Sequence, residues 1–317
     1  MNVTSEKGDE LARFHAVLIV PSIVITLLGI TGNIIILYVY THKIRLQVFG
    51  FFVRTLALLD LVNSLYTIPS FVVLKAMPFV DVFQEGLCKF FGFTNHFSML
   101  TTGMIYIAIA AQRFQKICRP HGTQMTTSTA RGIVALCMTM SVILSVPMIL
   151  LVKQSPITLD SMTVRMCSFN NETYWFPEQY NLPLFLSVYV CLELLLITLA
   201  LVVMYCRISR VLRGYINLSV TCGENLLKPT RACSILTGVF FCSGVPVTVL
   251  CLYSSLTGGN SEIHSEIHKW MLHLIDLTVC LPFINYVVKP FVYCLSSGRV
   301  RAECKASLCG PSSRPKE

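Results

Sequence analysis

Residues 90–112 read FFGFTNHFSMLTTGMIYIAIAAQ, without one Asp, Glu, Lys or Arg, and Arg113 follows at once. A hydrocarbon core of ~30 Å takes about 20 residues of helix at ~1.5 Å each, whereas membrane β-strands are about half that length. The pattern recurs in both directions. Ala16–Thr41, Gly132–Val152 and Ala232–Ser261 are free of charge. Thr55–Leu74 holds only Asp60, Gln179–Cys206 only Glu193, and Trp270–Val288 only Asp276, with Lys289 next. These seven runs predict an all-α membrane protein, a seven-helix bundle with helices at about 16–41, 50–75, 86–118, 130–152, 180–212, 229–257 and 267–295. A tail over 1–15 precedes the membrane domain at 16–296, and a tail over 297–317 follows, opening with a short amphipathic helix. Composition agrees: 13% of the 317 residues are charged and mean hydropathy is +0.66, against about 25% charged in soluble domains. A cytosolic enzyme is excluded.

Charge sets the orientation. With the N-terminus outside, the cytoplasmic loops and tail hold 17 basic and three acidic residues, and the outer parts seven basic and ten acidic. The positive-inside rule therefore puts the N-terminus out and the C-terminus in. The net charge of +9 belongs to the inner face, and no aromatic-interleaved basic groove suggests nucleic acid. The first 15 residues lack a signal peptide's basic start and cleavage site, so the first helix is expected to act as the insertion signal. Of 14 cysteines, only Cys88 and Cys167 fall at the outer, oxidising level, where a bridge persists and would pin the loop between helices four and five. Asn2 and Asn171 head outer glycosylation sequons, while that at Asn217 faces the cytosol. Cys304 and Cys309 lie beside Arg299, Arg301 and Lys305, either as palmitoylation sites or as idle thiols.

Particular positions narrow the class. Gly32-Asn33 lies in helix one and Leu56-Ala57-Leu58-Leu59-Asp60 in helix two. Cys88 precedes Arg113 by 25 residues within a stretch ending Gln112-Arg113-Phe114-Gln115-Lys116-Ile117-Cys118-Arg119-Pro120. Tyr205 sits near the inner end of helix five, Phe240 six residues before Pro246, and Lys289-Pro290-Phe291-Val292-Tyr293 closes helix seven. In this order and spacing, the chain resembles the rhodopsin-like (class A) G-protein-coupled receptors, in a divergent, neuropeptide-receptor-like form.

The resemblance implies roles. Arg113 matches the arginine that meets a heterotrimeric G protein when the bundle opens, Tyr205 and Tyr293 the tyrosines that swing toward it, and Phe240 the packing switch above which Pro246 bends helix six. Pro246 and Pro290 remove backbone donors and kink their helices. Several positions depart from the pattern. Gln112 replaces the acid before Arg113, which weakens the lock on the inactive form, and Phe114 replaces a tyrosine. Helix four has no tryptophan, helix five has no proline near Ile197, Gly244 stands in the place of the helix-six tryptophan, and Lys289 replaces an asparagine or aspartate.

Intramembrane charges are costly and usually paired. Lys289 lies ~10 Å and Asp60 ~16 Å from the inner side, while Asp276 is ~20 Å farther along helix seven and Glu193 enters from the outside. Asp60 is thus the acid that Lys289 can reach; the alternative is a lysine snorkelling inward. In the family, the aspartate matching Asp60 often holds a sodium ion among polar neighbours, here Asn33, Thr102 and Asn285, and the ammonium is expected to replace that ion. By the same resemblance, the ligand pocket is formed by Asn95, His96, Met99, Tyr189, Glu193, Val247, Thr248, Cys251, Asp276 and Val279. Asn95 in place of an aspartate disfavours a monoamine, and Phe283 in place of a lysine disfavours retinal. Glu193, Asp276 and an acidic outer surface suit a basic or amidated peptide.

The expected function is that of a plasma-membrane receptor coupling an extracellular peptide to a heterotrimeric G protein, with no cofactor or metal. The alternatives are a non-signalling receptor-fold protein (decoy or partner subunit) and, further off, a transporter or retinal pump. A pump would need retinal, and transporters show repeats and broken helices that are absent here.

Overall fold

The computed structural model describes residues 2–44, 47–76, 81–159, 162–169, 182–218, 220–256 and 277–309. The first span is α1 (Asn2–Tyr38), ending in a π-helical turn at Val39–Lys43. The second is α2 (Val48–Val62) and α3 (Ile68–Ala76), joined by a π turn at Asn63–Thr67. α4 (Asp81–Cys118), α5 (Thr127–Leu151), α6 (Leu182–Leu218) and α7 (Val220–Leu256) are spans three to six. The seventh is described from Leu277, through a 3-10 turn at Leu281–Phe283, to α8 (Ile284–Ser296). α9 (Gly298–Cys309) follows it.

The structure adds three features to these expectations. Helix extends back to Asn2, so residues 2–15 are helical and run into the span that begins at Ile19; Glu6, Lys7, Glu10, Leu11, Ala12 and Arg13 are good helix formers and no proline interrupts them. Spans five and six run on to Leu218 and from Val220, because beyond the bilayer a helix needs only local propensity, not an apolar surface. The seven-helix class holds, and the loop between spans four and five carries an antiparallel hairpin of β1 (Val152–Leu159) and β2 (Met162–Phe169). Val152, Ile157, Val164 and Phe169 are β-formers, and the disulfide between Cys88 and Cys167 ties β2 to the start of the third span.

Six of the described helices are long and apolar enough to cross a membrane. The third, at 38 residues, is long enough, but Thr94, Asn95, His96, Ser98, Thr101 and Thr102 interrupt its apolar run. That follows from its place inside the bundle. Large apolar side chains such as Leu27, Leu58, Leu136, Leu150, Phe185, Leu196 and Leu295 are exposed, while Asp60, Asn63, Ser64, Ser98, Thr101, Thr102, Ser141 and Ser145 are buried. Lipid solvates the first set, and within the second Asp60, Asn63, Ser98, Ser141 and Ser145 find hydrogen-bond partners on other helices. Close approach is set by glycine in two places. A Cβ on Gly32 would lie 3.0 Å from the Pro290 ring, and one on Gly103 would lie 2.9 Å from Ile197 and against Phe240.

Candidate functional site

The buried charges come together first. Lys289 Nζ donates to Asp60 Oδ1 at 2.6 Å, with both side chains at most 2% exposed, so the second and seventh spans are tied by an ion pair. Lys289 also stands 5.9 Å from the Tyr106 ring centre, and Asp60 Oδ2 is buried without a partner. The π turn puts an extra residue per turn just past Asp60. There Ser64 donates back to the Asp60 carbonyl, and Asn63 receives hydrogen bonds from Thr67 and from Ser98 of the third span. Asn33 donates to the Tyr286 carbonyl at 2.8 Å, binding the first span to the seventh rather than to Asp60. Asn285 donates to Ser243 of the sixth span.

Thr102 and Asn285 meet at a different feature, a cavity of about 20 Å³ bounded by Asn95, Ser98, Met99, Phe240, Gly244, Pro282 and Tyr286. That is room for one water. Its floor is open because Gly244 carries no side chain. Phe240 packs edge-on against Tyr106 just below, with ring centres 5.7 Å apart.

The expected pocket residues divide. Asn95 and Met99 line the small cavity. His96, Glu193 and Tyr189 sit instead in the seam between spans three, four and five. His96 Nε2 is 2.9 Å from Glu193 Oε2, His96 Nδ1 is 3.0 Å from Ser145, and the Tyr189 hydroxyl donates to the Leu144 carbonyl. A hydroxyl, an imidazole and a carboxylate in line would suggest hydrolysis, but Ser145 is fully buried, so the chain of contacts fastens helices. Thr248 bonds back to the Gly244 carbonyl, Val279 packs on the Ile68–Phe71–Phe283–Tyr286 cluster, and Val247 and Cys251 do not line the cavity. Asp276 and Asn171 lie outside the described residues. Asn2 is helical in backbone.

At the opposite end, Arg113 is 6% exposed and has no acidic partner among the described residues. Its guanidinium lies 4.2 Å above the Phe49 ring and beside the Cys233 thiol, with Nε buried and unpartnered. Neither Phe49 nor Cys233 belongs to the residues expected from the sequence; an aromatic at the start of the second span, facing an arginine without an acid, is the signal that could have marked it. Gln112 Oε1 and the Tyr293 hydroxyl are also buried without partners, whereas Tyr205 meets Thr237 of the sixth span at 3.3 Å. Pro246 lies within the sixth span and Pro290 within the seventh, and Phe114 is half-buried beside Arg119.

α9 has the expected amphipathic face. Val300 and Cys304 turn inward, and Arg301 donates to the Cys294 and Leu295 carbonyls at the end of the seventh span. Cys304 Sγ lies 3.1 Å from Cys294 Sγ, and burial together with that neighbour raises its thiol far above the ordinary value. It is a packed core thiol, poorly placed for acylation. Among the described residues, no group of three His, Cys, Asp or Glu could hold a metal.

Apolar helices around a polar interior, a disulfide strap at one end and a buried arginine at the other define a seven-helix membrane receptor. The family model for the 7 transmembrane receptor (rhodopsin family) matches residues 32–293, and the chain belongs to that family. It is similar to the human relaxin-3 receptor 1, at 22% identity over 96% of this chain and 71% of the relative. It is also similar to the rat neuropeptide FF receptor 1, at 25% over 93% and 72%, and to the human olfactory receptor 52B2, at 27% over 48% of each. The chain is a multi-pass receptor of the plasma membrane and not an enzyme.

Proposed function

We propose that this receptor is activated by an extracellular peptide and passes the signal to a heterotrimeric G protein at Arg113. The observation that carries the reading is Arg113 itself: a buried arginine at the end of the third span, held by an aromatic face and a thiol rather than by an acid. A peptide ligand is supported by relatives whose names specify relaxin-3 and neuropeptide FF. A basic or amidated peptide would meet Asp276.

In this reading the peptide favours an outward tilt of the sixth span. The tilt separates Thr237 from Tyr205, slides Phe240 off Tyr106 and frees Arg113 for the G protein. The peptide can drive this only by binding the open state more tightly than the closed one. Lys289 serves as a tethered cation for Asp60, in place of the mobile ion that the family resemblance implies for that aspartate. Asn2 and Asn171 carry glycans and Cys309 the lipid.

Amidated peptides with basic C-terminal residues, applied to cells expressing the receptor, should raise G-protein signalling in wild type and should do so less in Asp276→Asn at equal surface level. A panel that activates neither, while labelled peptide fails to bind, would remove the peptide ligand. The direct bond between the second and seventh spans supports one second reading, a receptor-fold partner held in a single state; binding without any signalling would favour it.

A further inference from the structure

We infer that the cavity at the Arg113 end is an anion site that takes a phosphate monoester on a polyhydroxylated ring, the chemistry of an inositol phosphate headgroup. The cavity holds about 270 Å³ and, among the described residues, is lined by three cations, Arg113, Lys116 and Arg299, and by no carboxylate. Arg113 is buried while Lys116 and Arg299 stand exposed at the rim, and a buried cation calls for a counter-ion. Arg113 shows where one belongs. Phe49 covers one face of its guanidinium, and its buried Nε has no acceptor. Arginine is the side chain best matched to phosphate oxygens, and a ring face only partly offsets the charge.

Two features narrow the ligand. Gln112, on the same wall, has a buried Oε1 with no donor; a ring hydroxyl supplies one, and a bare phosphate dianion does not. The volume is slightly below that of drug-sized pockets, enough for a compact headgroup and too small for a folded peptide segment. Ala232 of the sixth span also lines the cavity. An occupant would therefore join the third span to α9 while lying against the helix that must move.

The headgroup could come from a soluble inositol phosphate or from a membrane phosphoinositide, and two arms separate these sources. In the first, full-length receptor in phosphatidylcholine nanodiscs is titrated with tritiated inositol trisphosphate at constant ionic strength. In the second, the nanodiscs contain phosphatidylinositol bisphosphate, and co-purifying lipid is counted by mass spectrometry. Lys116→Gln and Arg299→Gln, both at exposed side chains, are compared with Lys305→Gln, a nearby exposed cation outside the lining. Unchanged melting temperature without ligand verifies folding.

Saturable binding is expected in at least one arm, weakened about tenfold by each lining variant, abolished by both together and unaffected by Lys305→Gln. Binding in the first arm assigns the soluble headgroup, and binding in the second alone assigns the lipid. No saturable binding in either arm overturns the site. Binding that survives the double variant, or that Lys305→Gln weakens equally, overturns it too, since surface charge alone would then account for it.

Discussion

Asp60 and Lys289 would each be an unpaired charge in hydrocarbon if the other were removed, and that asymmetry governs what substitution does there. Breaking a buried pair on one side costs about 3–5 kcal/mol, whereas replacing both partners with apolar side chains is close to neutral. Lys289→Met and Asp60→Leu should each sharply lower the thermal midpoint of the purified receptor, and the double variant should recover most of it; additive losses would deny the coupling. Because the cation is tethered, basal activity of wild type should also be insensitive to replacing sodium with a larger cation, and ordinary sodium sensitivity would refute the substitution. Gly244 predicts the opposite sign. A Cβ there meets only Met99 Cε, at 3.5 Å, so Gly244→Ala fits and should add about 0.5–1 kcal/mol through helix propensity. That gain is readable as a rise of a few degrees in the same melt. Depth along a helix is legible from sequence, which is why Asp60 could be singled out among three acids for Lys289. Rotation about the helix axis is not, and so His96 and Glu193, assigned to a pocket, meet in the seam of three spans with Ser145.

Helices and their ends follow a similar division. Charge-free runs mark where chain must sit in lipid, and the seven spans lie on them. They do not mark where helix stops, because outside the bilayer local propensity takes over, as in residues 2–15 and at the ends of spans five and six. Nor does hydropathy announce the π turn at Asn63–Thr67, whose cause is the side-chain bonding of Asn63 and Ser64 to the turn before. Sequence shows the hairpin only as a loop, although the compartment of its two cysteines places its disulfide. That bridge closes a separation of 79 residues, and removing such a constraint costs about 2–5 kcal/mol. Cys88→Ser should therefore reduce surface expression, and Cys167→Ser should do so equally. Cys88→Ser/Cys167→Ser should be no worse than either alone. A double variant clearly worse than both singles would show that the two sulfurs contribute separately.

For the molecule as a whole, the small cavity above Phe240, the ion pair beside Tyr106 and the basic cavity at Arg113 lie in order along the bundle, each between helices whose relative movement would change it. Family membership accounts for that arrangement. The substitutions Gln112, Gly244 and Lys289 make this receptor's resting balance its own, because the acid that would hold Arg113 closed is missing while a lysine ties the second and seventh spans. Cation–π and thiol contacts hold an arginine less firmly than a carboxylate does, so some opening without ligand is expected. The most direct test is nucleotide exchange on heterotrimeric G proteins in membranes carrying wild type or Arg113→Ala at matched surface density, against membranes without receptor. Exchange above background in wild type and at background in Arg113→Ala is the predicted result. Exchange that is raised equally by both proteins would contradict a signalling role for Arg113.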